Sequence, residues 1–327
     1  MTSNIKIGNY TVKPHSVKWK TSVLGYMDTC TIVLPRVVYT ENILGITDDN
    51  TIKSDSQLIS GSPFNAGDKV AVYLGYDNRN EKRFAGFVKY INIGDKLEVE
   101  CEGYSYQLPK VFNKSYANAS IKAILTDLTA GTDIKLSAGI PDSSLGPARF
   151  KNFTGYSVLD WLKKECQLTA YFDFDAIYVG TMYGLYKDKV SLILGWNTAD
   201  EKEFKKRAVS NNIIINIVTK DSAGTTKKVK SDEKKYSQVK EVKVKYGMDA
   251  KLLRDLANDI QNRTNYGGYQ GSITCFLEPV LQKSTVADIK DNRFPERSGL
   301  FFVEAIEGSF DSNGGRQKVT LSYFYGK

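Results

Sequence analysis

One histidine, His15, and four scattered cysteines, Cys30, Cys101, Cys166 and Cys275, are all this 327-residue chain offers of the side chains most used in nucleophilic and metal chemistry. A lone imidazole excludes multi-histidine metal sites, and any Ser–His–Asp or Cys–His triad would hang on that one residue. His15 follows Pro14 in a polar stretch and reads as an exposed loop residue. The cysteines show no CxxC or knuckle spacing and lie among apolar neighbours, which predicts reduced, buried thiols. No apolar run reaches the roughly 18 residues of a membrane span, and the stretch Ile213–Val218 is only strand-sized. GxxxxGK[ST], HExxH and GxSxG are absent. Met1-Thr-Ser-Asn-Ile-Lys6 lacks the charged start and apolar core of a signal peptide, so synthesis and folding in a cytoplasm are expected. No catalytic residue, cofactor or metal is expected.

What the chain has instead is aromatic and β-branched. Aromatics make up 12% of it, with 20 tyrosines, and Val, Ile and Thr recur in short runs broken by Gly, Asn and Asp, which predicts a mostly β protein. In Val70–Leu74 and Leu97–Cys101 every second residue is apolar, placing those side chains on one buried sheet face. Phe84–Tyr90 supplies a further strand, and Asn92–Asp95 a hairpin turn in which Gly94 tolerates positive φ. The first hundred residues read as a small antiparallel barrel or sandwich.

The period then changes. Ile121, Ile124, Leu125 and Leu128 recur at helical spacing behind Asn118 and Ser120, and Val158, Leu159, Leu162 and Cys166 do so behind Ser157, which with Asp160 approximates a capping box. Between these helices Ala138–Pro147 reads as a loop. Leu168–Gly180 reads as two strands joined by a tight turn at Asp173–Asp175. Beyond residue 190 the β pattern returns in Val190–Leu194, Ile213–Val218 and Val239–Tyr246. One helix interrupts it, capped by Asp249, with Leu252, Leu253, Leu256, Ala257 and Ile260 as its apolar stripe. Gly271–Leu277, Leu300–Phe310 and Val319–Tyr325 close the chain, the last two joined by Asn313-Gly314-Gly315.

Several phrases occur together in order: Val17-Lys-Trp19, Tyr26–Pro35, Asn65–Tyr76, Phe84–Val88, Val99–Leu108, Ser157–Leu162 and Phe302–Gln317. In this they resemble the phage tail baseplate hub proteins, the group of the late-control D proteins and the hub part of type VI secretion spike proteins. One departure is that Lys283–Asp288 stands where the family often has a Pro-Gly-Asp turn. The resemblance implies an α+β, mostly β fold: two small antiparallel tube-like β-barrel domains with an inserted α+β domain. Their expected limits are 1–105, 106–188 and 189–327, the last with the embedded helix near 249–264. It further implies a homotrimer in the tail baseplate of a virion, adapting a hexameric tail tube protein to a trimeric spike protein. An axial channel would meet the tape-measure protein or DNA. The residues then expected to matter are structural: Gly67 and Asp68 set the turn before Val70–Leu74, Gly86 allows close strand packing, and Gly314 and Gly315 set the final hairpin.

Two rival functions rest on charged residues. Between Lys202 and Lys245 lie 13 Lys/Arg against five Asp/Glu, an excess of eight that equals the net charge of the whole chain. Lys227, Lys228, Lys230, Lys234 and Lys235 there could form a surface for nucleic acid or an acidic partner, or line a solvated hairpin, Asp221–Tyr236, that keeps a β edge from pairing. Asp173 and Asp175 could serve a peptidoglycan-degrading hydrolase, but such chemistry needs carboxyls about 5 to 9 Å apart in a cleft, and a hairpin turn explains both. Trp19, Trp161 and Trp196 read as core or interface anchors.

Overall fold

The computed structural model describes residues 1–35, 63–207, 213–220, 223–231, 238–245 and 247–324. One sheet dominates. Its strands run, each bonded to the next, as β14 (Thr198–Asp200), β19 (Tyr269–Cys275), β22 (Gly314–Phe324), β21 (Gly299–Asp311), β3 (Ser16–Ser22), β4 (Thr29–Leu34), β7 (Leu97–Glu102), β6 (Arg79–Ile93), β5 (Lys69–Tyr76), β1 (Thr2–Ile7) and β2 (Tyr10–Val12). Every pairing along this path is antiparallel. Among the described residues no pairing joins its two ends. β13 (Lys189–Ile193) and β20 (Val286–Lys290) run parallel to each other, and β20 pairs β21.

Alternation sets the inner face of the first β region. Val70, Val72 and Leu74 on β5 and Val99 and Cys101 on β7 point inward, where they meet Ile5, Ile7, Trp19, Ile32 and Phe84 in one core. The last β region has its own core around Leu192, Ile273, Ile289, Phe301, Val303 and Leu321. The two are one sheet through β3 and β21, whose register runs from Ser22↔Ala305 to Val17↔Phe310. The β6–β7 turn falls at Gly94–Lys96, because β6 runs two residues further than the sequence reading of Asn92–Asp95 allows, and Gly94 keeps negative φ there, so positive φ is not its reason.

Between these regions lie α1 (Ile121–Thr129) and α2 (Gly155–Glu165). Ser120 caps α1, its Oγ accepting from the Ala123 N–H at 3.1 Å, as expected. At α2 the cap is Thr154, not Ser157: Thr154 Oγ1 accepts from the Ser157 N–H at 3.2 Å, so Ser157 already lies in the first turn. The expected loop Ala138–Pro147 also ends early, because Ser144–Thr154 forms β10, paired with β8 (Val111–Ser120) in a bulged two-stranded ribbon. β11 (Thr169–Asp173) and β12 (Ala176–Gly180) form the hairpin read from sequence.

The embedded helix, α3 (Ala250–Asn265), begins at Asp249, whose Oδ1 accepts from the Lys251 N–H at 2.8 Å. Its Leu252, Leu253, Leu256 and Ala257 join α1 and α2 in a third core, which also takes Ile215 and Ile217 of β16 (Ile213–Lys220). β16 is the centre of a small sheet between β17 (Thr226–Lys230), antiparallel, and β18 (Gln238–Lys243), parallel.

Candidate functional site

The hairpin tip separates the two sequence-selected carboxylates. Asp173 ends β11, Phe174 takes φ of 52°, and Asp175 lies in the turn, so strand alternation does not align the pair. Asp173 Oδ1 accepts from Lys187 Nζ at 2.6 Å, while Asp175 Oδ2 lies 2.7 Å from Lys135 Nζ. Each carboxylate is thus committed to its own ammonium. Asp173 also lines a cavity of about 20 Å³ with Asp28, Arg83 and Lys283. That is room for about one water, against the roughly 300 Å³ or more of a pocket that takes a small molecule. A shallower depression of about 390 Å³ on the open face of β3, β4, β21 and β22 holds one carboxylate, Glu307. Lys20 neutralises it at 2.5 Å. Neither place offers paired carboxyls facing a substrate.

The cavity marks a junction. Asp28, from the β3–β4 turn, accepts from Lys283 Nζ at 2.6 Å on both oxygens, and both residues are buried. Burial pushes the Asp28 carboxyl up and the Lys283 ammonium down, and the opposite charge of each partner opposes those shifts. Arg83 of β6 donates from Nη2 to the Leu277 carbonyl at 2.7 Å, and burial brings its guanidinium down to about 10. Lys187 bridges Asp173 to Gln282 Oε1, also at 2.6 Å. Side chains from the first β region, from the segment between the two β regions and from the last β region therefore close on one point.

The turn residues fall as follows. Gly67 takes φ of 92° and donates its N–H to the Val88 carbonyl at 2.8 Å, while Asp68 Oδ2 accepts from the Asn65 N–H at 2.7 Å. A Cβ on Gly86 would stand 2.1 Å from the Glu102 carbonyl oxygen of the neighbouring strand. Gly314 takes φ of 130° as β22 begins, whereas a Cβ on Gly315 would strike Leu277 at 2.4 Å. Sequence reasoning missed Gly308. It is the register partner of Trp19, whose ring covers it so closely that a Cβ would sit 1.9 Å from Cζ2. The only signal was a large aromatic needing a small neighbour, and the neighbour is on a strand at the far end of the chain. Of the tryptophans, Trp19 is buried, Trp161 half-buried, and Trp196 is 79% exposed on the β13–β14 turn.

The basic segment is a sheet rather than a free hairpin. Ile215, Ile217, Val229 and Val242 face α3, and alternation sends Asn216 and Val218 with their register partners Lys230, Lys228, Glu241 and Lys243 to the other face. Lys228 Nζ meets Glu241 Oε1 at 2.5 Å. Lys227 pairs with Thr219 and so belongs to the helix side; Lys234 and Lys235 lie outside the described residues. Lys245 is structural: its Nζ donates to the Leu145 carbonyl at 2.8 Å and to that of Pro147, beneath the Trp161 ring. No group of three or more His, Cys, Asp or Glu that could hold a metal occurs among the described residues.

No protein-family model and no curated protein sequence matches the chain. Solved structures do. The 43 kDa tail protein of prophage MuSo2 from Shewanella oneidensis, 14% identical, superposes over 98% of this chain and 97% of its own with a TM-score of 0.58. A tail protein from Neisseria meningitidis, 11% identical, does so over 98% and 95% with a TM-score of 0.63. This is a phage tail-protein fold. The same fold links the chain to an Escherichia coli component of the type VI secretion system, 12% identical, over 98% of this chain and 77% of that one, with a TM-score of 0.58. The committed carboxylates and the small junction cavity describe a packed framework, from which the lysine-rich sheet stands apart by its charge.

Proposed function

We propose that the chain is a structural hub of a phage tail baseplate or a related contractile injection device. In this reading it is a homotrimer that adapts a hexameric tail tube to a trimeric spike. Residues 1–105 and 189–327 supply the two tube-like units per subunit, so three copies present six, and 106–188 is the inserted unit. The ring's channel meets tape-measure protein or DNA in passing. The observation that carries the reading is the agreement of fold, nearly end to end, with tail proteins and a secretion-system component. A chain of a PdpA–VgrG complex, with a TM-score of 0.51 and 66% of its length covered, adds a similar fold built into a larger assembly. Gly67, Asp68, Gly86, Gly314 and Gly315 serve this role by fixing turns and close strand contacts.

Sedimentation velocity tests it. A species of three times the 36.6 kDa chain is expected, alone or with the tail tube and spike proteins present. A chain that stays monomeric with both partners added refutes the trimeric hub. Zymography on bacterial walls should show no clearing; clearing lost on Asp175→Asn would establish a hydrolase instead.

A further inference from the structure

Among the described residues, no helix or further strand covers the second face of the lysine-rich sheet. α3 covers one side of β16–β18. Down the centre of the other run Ile214, Asn216 and Val218 of β16, with Val239 of β18 beside Ile214 and 56% exposed. Lys220, Lys228, Lys230 and Lys243 stand around this strip, all exposed, against Glu241 as the one carboxylate among the described residues of this face. At the middle sits Asn216. It is 7% exposed, yet its side-chain oxygen accepts no hydrogen bond.

Two features of that face specify an occupant. An apolar strip inside a charged rim is the layout of a protein interface, dry at the centre and polar at the edge. Four ammonium groups against one carboxylate call for an acidic surface opposite. Single-stranded nucleic acid fits less well: Ile214, Val218 and Val239 offer no aromatic ring on which a base could stack, and Glu241 would oppose phosphate. We propose that this face docks an acidic surface of a different protein of the assembly. That surface would place carboxylates on Lys228, Lys230 and Lys243 and apolar contact on Val239. The proposal rests on the tail-component reading and adds to it a docking surface and the chemistry of its partner.

The test uses intact tail particles from the organism that encodes the chain. Carbodiimide joins lysine amines to carboxylates directly, without a spacer. Cross-links from Lys228, Lys230 or Lys243 to Asp or Glu of one other tail protein are expected, and acetylation of these lysines should slow at least about tenfold relative to the isolated chain. Lys228→Glu with Lys230→Glu should lower incorporation of that neighbour by about tenfold, as expected for two lost ion pairs turned repulsive. Lys240→Glu, on the helix side of β18, should not. Asn216→Val should stabilise the isolated chain by removing a buried acceptor without a partner. If the chain is in the particle but these lysines acetylate freely, cross-link to a second copy of the chain, or are unmasked by nuclease, the proposal is overturned and the hub reading stands. Absence of the chain from the particle overturns both.

Discussion

Replacing Lys283 by Met would isolate a buried charge. The Asp28 carboxylate loses the ammonium that holds both its oxygens at 2.6 Å, and it lies well away from bulk water, since the two side chains are only 8% and 5% exposed. Removing one member of a buried pair costs about 3 to 5 kcal/mol, a large part of the about 5 to 15 kcal/mol that holds a typical domain. The sign of the pH dependence follows from Asp28. Burial already raises its carboxyl above the ordinary 3.8, and the variant removes the ammonium that opposed that rise. A group whose folded pKa exceeds its unfolded one contributes stability that is full below the unfolded value and is lost as pH climbs through the folded value. The deficit should therefore be larger at pH 8 than at pH 5. Urea unfolding followed by far-UV circular dichroism at both values measures it. Asp28→Asn combined with Lys283→Met removes both charges and should recover at least half the loss. A single variant within about 1 kcal/mol of the parent, or a double variant no better than the single, would show that this pair does not join the regions as argued.

Gly308→Ala should destabilise by at least about 2 kcal/mol, because its Cβ would enter the Trp19 ring, whereas Gly25→Ala, with nothing within 4 Å, should be nearly silent in the same thermal melt. Burial pushes the thiols of Cys101, Cys166 and Cys275 up to about 12 and raises Cys30 well above its usual range. All four should resist iodoacetamide at pH 8 in the native chain and label fully in urea, as mass spectrometry would read; fast native labelling would contradict their burial. Asp249→Ala should cost about 1 kcal/mol through loss of the α3 cap, seen as a lower urea midpoint, with Asp249→Asn close to the parent.

What could be read from sequence was local. Alternation in Val70–Leu74 and Leu97–Cys101 identified β5 and β7 because one side of each faces a core. Ser120 and Asp249 were legible as caps because each precedes an apolar stripe at helical spacing. β8 escaped because its ribbon with β10 lies mostly in solvent, so Phe112 and Ala119 are its only buried residues and no period of two appears. Thr154 escaped because Thr and Ser three residues apart both satisfy the cap signature, and only the geometry decides which donates its backbone N–H. At the candidate site the lysine excess was plain in the sequence, but its division between two faces depends on β17 and β18 both pairing β16. The opposition of Cys30 and Cys101, register partners across β4 and β7, was equally out of reach.

The pairing of β3 with β21 bears most directly on the proposed role. Six register pairs join strands from opposite ends of the chain. With each ladder hydrogen bond worth a net of about 0.5 to 1.5 kcal/mol, the seam contributes several kcal/mol before side chains are considered. Trp19 over Gly308 packs the seam from inside, and the Asp28–Lys283 pair and the Arg83–Leu277 bond close it beside Asp173. Two β units tied by a flexible linker could rotate independently, and a ring that must present equivalent positions to a sixfold tube would lose binding free energy to that freedom. A shared sheet removes it, because β strands bend and twist far less readily than a linker rotates. In the proposed trimer, the angle between the two β regions would be set within one polypeptide by this shared sheet and so be constant from copy to copy.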